Sequence, residues 1–115
     1  MSNFLYLFRG GDDKFNKLSP SEQQSHMEKW GVWMEGLKNK GHLVDGFPLH
    51  GEGKVVENKG KVVTNGPFAE GAELVGGYLI VSAKNLDEAT EMSKGCPIFE
   101  YDASVEVREI LSLDM

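Results

Sequence analysis

A single cysteine, Cys96, stands among 115 residues. No disulfide can form within the chain, which fits a reducing cytoplasm. Arginine is almost as scarce: Arg9 and Arg108 are the only two, in a chain of formal net charge −6. Phosphate backbones select for clustered Lys and Arg, so no nucleic-acid partner is expected. The lysines are scattered and read as a solvated surface, mostly paired with acids. No apolar run approaches the roughly 20 residues of a membrane span. The first residues lack a basic segment, an apolar stretch and a cleavage site, so neither a membrane partner nor a secretory signal is expected. Repeats, linkers and low-complexity segments are missing too. What is present, 40% hydrophobic and 26% charged residues, is ordinary for one soluble globular domain.

The stretch Asn3-Phe4-Leu5-Tyr6-Leu7-Phe8-Arg9, closed by Gly10-Gly11, reads as a first strand. Phe4, Tyr6 and Phe8 alternate with Leu5 and Leu7, so both faces are apolar. A small antiparallel sheet normally has one covered face, and the second face calls for a cover, most simply a second copy of the chain. Ser19-Pro20-Ser21-Glu22 has the N-cap, N1 proline and N3 glutamate of a capping box. It opens a helix expected to run to about Lys40 and stop at Gly41. At 100° per residue, Met27, Trp30, Trp33, Met34 and Leu37 form one stripe with His26 inside it, while Val32 points away.

His42 to His50 reads as a short edge strand, because Pro48 keeps it from central pairing. Lys54 to Glu57 and Lys61 to Thr64 flank a hairpin turn, with Gly60 supplying positive φ. Gly76 to Ser82 is another strand with two apolar faces. Asn85 caps a second helix with Leu86, Ala89 and Met92 inward, ended by Gly95-Cys96-Pro97. Ser104 to Leu111 is the last strand, with Val105, Val107 and Leu111 on or near one face and Glu106 and Arg108 on the other. Strand, helix, several strands, helix, strand is the order of an α+β sandwich of ferredoxin-like type, with both helices on one sheet face.

Several residues could carry chemistry. Asn65-Gly66-Pro67-Phe68-Ala69-Glu70 offers an amide, a ring and a carboxylate at a rigid corner. Either Asn65 binds a ligand and Glu70 acts as a base, or Asn65 bonds its own backbone in an Asx turn and Phe68 plugs the core. His26, near Trp30 and Trp33, is either a general base or a packed rim residue, with no orienting carboxylate evident. His42 and His50, eight residues apart, share a face if their strand is regular. With Asp45 or Glu52 they lack tight metal-ligand spacing, and no metal is expected. Glu106 and Arg108 either hold an anionic or phenolic ligand or form an ion pair at a dimer interface or on the sheet edge. Cys96 reads as an inert thiol. Gly51-Glu52-Gly53-Lys54 lacks the spacing of a phosphate loop, so no cofactor is implied.

The aromatic first strand, the Ser-Pro helix start, the valine hairpin, the Asn65-Gly66-Pro67-Phe68 corner followed by Glu70 and Gly76-Gly77-Tyr78, and Ser104-Val105-Glu106-Val107-Arg108 occur here in an order that resembles the YCII-related family. Within it the chain resembles specifically the branch named for an Asp-Gly-Pro-Phe motif. The resemblance covers almost the whole chain and implies a dimeric α+β barrel, two sheets packed face to face. In the family it also implies a muconolactone-isomerase-like fold, and one branch includes a dehydrochlorinase acting on a chlorinated hydroxyquinol. The chain departs from the family at Asn65, where Asp is usual. The other YCII branch carries a His on the first helix and an Asp before the proline after the second, and Trp30 and Cys96 align with these. Two functions are expected from this. One is a small-molecule-binding or acid–base enzyme for an aromatic or lactone-like compound, with Trp30, His42 and Glu106 around its pocket. The other is a non-catalytic regulatory partner, for example of an extracytoplasmic-function sigma factor, whose genes often neighbour those of this branch.

Overall fold

The structure, a computed structural model, describes residues 1–66 and 74–113, without the side chains of Asp12 and Asp13. Six strands are present: β1 (Ser2–Arg9), β2 (Leu43–Pro48), β3 (Gly53–Glu57), β4 (Val62–Gly66), β5 (Val75–Ala83) and β6 (Ser104–Glu109). The α-helices are α1 (Asp12–Asn16), α2 (Pro20–Asn39) and α3 (Leu86–Ser93), and a 3-10 turn spans Pro97–Glu100. Strands β2-β5-β1-β6 form one antiparallel sheet in that order, and β3 and β4 form a separate hairpin. With the hairpin set aside, this is the split βαβ order of a ferredoxin-like fold. The short α1 and the 3-10 turn have no forecast in the sequence patterns.

Local chemistry sets the helix ends. The Ser19 hydroxyl accepts from the Glu22 amide, and the Glu22 carboxylate accepts from the Ser19 amide, at 3.2 and 3.1 Å. At the other end Gly41 has φ +79°, and the His42 amide reaches back to the Leu37 carbonyl at 2.8 Å. This is the left-handed exit that glycine permits. The Asn85 side chain caps α3 through the Glu88 amide at 2.8 Å.

Strand parity then divides the sheet. Phe4, Tyr6 and Phe8 of β1, Leu79 and Val81 of β5, and partly buried Val105 and Val107 of β6 face the helices. There they meet Trp30, Trp33, Met34 and Leu37 of α2 and Ala89 of α3. Tyr6 stacks on Trp33 at 6.3 Å, and Phe8 meets Trp30 edge-on at 5.0 Å. Fully burying one such side chain contributes about 1.5–3 kcal/mol. The Tyr6 hydroxyl donates to the Ala89 carbonyl, fixing α3 to the central strand. The other face carries Leu5, Leu7 and Arg9 beside Tyr78, Ile80, Glu106 and Arg108. No helix covers it.

Several expectations are corrected or extended. Met27 lies at the margin of the α2 stripe and is 56% exposed, and Leu86, in the first turn of α3, is half-exposed. Strand β6 ends at Glu109, which leaves Leu111 77% exposed beyond it. Positive φ in the hairpin turn belongs to Asn58 and Lys59 as well as Gly60. His42 and His50 flank β2 rather than sharing a face of it, because the strand is six residues long and its register shifts between Leu43 and Asp45. Among the described residues, lysine ion pairs are limited to Lys14–Asp102, Lys29–Glu100 and Lys94–Glu91, fewer than the interleaving of charges suggests.

Candidate functional site

The residues singled out from sequence come to rest in four places. His26 and Trp30, one turn apart on α2, meet directly, the Trp30 indole N–H donating to His26 Nε2 at 2.9 Å. His42 sits at the start of β2 with its Nδ1 on the Ser82 carbonyl at 2.7 Å. That bond makes it a fastening of the sheet edge, and His50 is exposed after β2. Asn65 is on the hairpin, its side-chain oxygen accepting from Lys54 Nζ at 2.9 Å. The backbone that an Asx turn at Asn65 would engage lies beyond Gly66, outside the described residues. Glu106 and Arg108 lie on the uncovered sheet face. Glu70 and the rest of the corner beyond Gly66 fall outside the described residues, although the Leu74 carbonyl just after them accepts from the Gly10 amide at 3.1 Å. Trp30, His42 and Glu106 therefore do not line one pocket.

The Glu106–Arg108 pair has a partner the sequence did not suggest. Arg9 donates through Nε and Nη2 to Glu106 Oε1 at 3.3 and 3.2 Å, while Arg108 Nε stays 3.9 Å from Oε2. The closer contacts of the carboxylate thus come from Arg9 on the adjacent strand, and the Arg108 guanidinium is the more exposed of the two. Such a half-exposed pair is weak as a stabiliser.

His26 has an orienting carboxylate that is not evident in the sequence. Glu100, at the end of the 3-10 turn, places Oε2 at 3.2 Å from His26 Nδ1, and Lys29 Nζ donates to Glu100 Oε1 at 2.8 Å. The Trp30 N–H can only donate. His26 Nε2 is therefore the accepting nitrogen and Nδ1 carries the proton toward Glu100. The ring is 6% exposed and packed between Phe15 and Tyr101, whose centroids lie 5.7 and 4.6 Å away. The Lys29 ammonium, and then His26, hold the Glu100 carboxyl below its ordinary range, and Glu100 in turn raises Lys29. In this resting arrangement His26 is a donor with its lone pair occupied. It becomes a base only if Trp30 lets go.

Beside this chain of bonds, on the outer side of α2, runs an open groove walled by Val32, Trp33, Pro97 and Phe99, with Cys96 among its lining residues and Glu28, Lys29 and Glu100 supplying its polar groups. Aromatic walls with a few convergent polar groups are the usual make-up of a small-molecule site. The groove offers an ionised carboxylate as acceptor and an ammonium as donor. Cys96 adds no nucleophile, since burial pushes its thiol up to about 12. Among the described residues no three His, Cys, Asp or Glu side chains gather as metal ligands do. No helix among them is long and apolar enough to cross a membrane.

Sequence reasoning missed Glu100, Lys29 and Arg9. Lys29 was within reach, three residues from His26 on the same helix. Glu100 was not, because the Cys96-Pro97 signal marks a helix stop without saying where the following turn points.

Comparison with known proteins agrees with this architecture. No functionally curated protein matches the chain in sequence. Among solved structures, the chain is similar to the 5-chloro-2-hydroxyhydroquinone dehydrochlorinase of Burkholderia phenoliruptrix, solved with 2,5-dihydroxybenzoquinone. Identity is 15% and the TM-score 0.52, over 92% of this chain and 90% of that one, a likeness of fold. The sequence profile of the YCII-related domain matches residues 6–114, and the chain belongs to the YCII-related family.

Proposed function

We propose that this protein binds a small hydroxylated aromatic or lactone-like compound in the groove between α2 and the 3-10 turn, and that it works as a homodimer. The observation that carries the reading is the chain Trp30–His26–Glu100–Lys29, whose outer end opens among Trp33, Pro97 and Phe99. A flat ring between Trp33 and Phe99 would offer its hydroxyl to Glu100 and take a hydrogen bond from Lys29 at a second oxygen. Glu100 would act as the proton acceptor in any acid–base step, with His26 holding its second oxygen in place. The fold likeness to a dehydrochlorinase of a hydroxylated aromatic agrees with that ligand class. The uncovered face with Leu5, Leu7, Tyr78 and Ile80 supports a second copy as its cover.

A second reading, a non-catalytic regulatory partner, is favoured by one observation. Both nitrogens of His26 are engaged and burial keeps the Cys96 thiol protonated, so neither offers a free base or nucleophile to the groove, and the Glu100 carboxylate there is held below its ordinary range. A thermal-shift screen with catechol-, hydroxyquinol- and lactone-type compounds separates the two. Stabilisation by several degrees in wild type, lost in Glu100→Gln and retained in the distant Asn65→Ala, is the expected result. No shift with any compound would favour the regulatory reading.

A further inference from the structure

The β3–β4 hairpin is the one part of the described chain that its own fold leaves unsupported. Among the described residues it packs extensively only on itself and shares no hydrogen-bonded ladder with the main sheet. A two-stranded hairpin is marginal in water by itself. The radius of gyration, 15.8 Å, exceeds the roughly 13 Å of a compact domain of this length.

Its composition says what it wants. Val56 and Val63 stand opposite each other across the ladder, 60% and 56% exposed, beside the Lys54–Asn65 pair on the same face. Lys54, Lys59 and Lys61 against Glu57 give residues 53–66 a net charge of +2, which leaves −8 on the rest of the chain. A basic apolar arm on an acidic body is complementary to another copy of that body. The matching surface lies at the opposite edge of the sheet from β2, the strand before the hairpin. There β6 has no outer neighbour among the described strands, and it is followed by exposed Ile110, Leu111 and Leu113 after the acidic Glu109. Apolar segments of this kind are normally buried against something.

We infer that the β3–β4 hairpin is a dimer arm, docking through Val56 and Val63 on the β6 edge and the 110–113 segment of a second copy, with its lysines toward that copy's acids. This rests on the homodimer proposed above and adds a second contact beyond the stacked sheet faces. In the pair, each arm's unpaired edge and valines gain a partner that a single chain cannot supply.

Sedimentation velocity and covalent capture test it together. Wild type should be a dimer at micromolar concentration, and its dissociation constant should rise with salt because screening weakens the charge match. Val56→Thr/Val63→Thr removes the apolar face and keeps strand-forming residues. It should keep its circular dichroism and dimerise at least tenfold more weakly. An unchanged dissociation constant would overturn the arm while leaving the dimer intact. A monomeric wild type would overturn the dimer itself, and the arm with it. Native Cys96 is buried, so Val63→Cys protein mixed with Leu111→Cys protein should give a bis-maleimide-linked heterodimer. Absence of that product in a mixture that sediments as dimer would also overturn the arm.

Discussion

Two protons held in the core make a prediction at the scale of single residues. Burial pushes the Tyr6 hydroxyl and the Cys96 thiol each up to about 12, Tyr6 with a smaller push from Cys96. An unfolded chain sheds the same protons from about pH 8.5 for Cys and 10 for Tyr. Between those values and 12 the native state binds more protons than the unfolded one, so stability is full below about pH 8.5 and falls as pH rises. The urea midpoint should therefore drop between pH 8 and pH 10, reflecting a loss of up to about 2 kcal/mol of unfolding free energy from Cys96 alone. In Cys96→Ala the fall should begin nearer pH 10. A midpoint flat to pH 10 in wild type would contradict the burial of the thiol. The inertness of Cys96 was legible in the sequence, because only Lys94 nearby could lower its pKa. The state of His26 was not: its carboxylate partner is 74 residues away. Which nitrogen accepts depends on an indole one helical turn on, a proximity visible in sequence but without orientation.

Elements were the more readable scale, since their signals are local. The capping box at Ser19 and the glycine stop at Gly41 gave α2 its true ends, and Pro48 placed β2 at an edge. Failures came at margins, where an apolar residue such as Met27 or Leu86 falls just outside the width of the buried stripe. Two glycines show the same contrast between local and tertiary rules. Gly31 lies mid-helix with open space where a Cβ would go, so Gly31→Ala should stabilise by about 0.5–1 kcal/mol. At Gly46, in β2, a Cβ would come within 2.5 Å of the Tyr78 carbonyl oxygen and 2.8 Å of Leu79 Cα. Gly46→Ala must push the edge strand off β5, at a cost of about 1–3 kcal/mol. Thermal melts of both variants should move in opposite directions, and a shared sign would mean the β2–β5 approach is looser than the backbone distances indicate.

For the whole molecule, the order of elements gave the ferredoxin-like sheet, and the doubly apolar β1 and β5 pointed to a face their own helices cannot cover. The groove could not be seen that way. It exists because a four-residue turn after α3 folds back on α2, setting Phe99 and Pro97 against Val32 and Trp33 and bringing Glu100 to His26. Nothing in the periodicity of either helix announces that meeting. The most direct measurement is a titration of labelled protein with a catechol-type compound, following the Trp33 indole N–H and the His26 Nδ1–H by NMR. Occupation of the groove should shift both resonances saturably and together, with the His26 response lost in Glu100→Gln. A compound that binds while leaving both unmoved would contradict the assignment of this groove as the site.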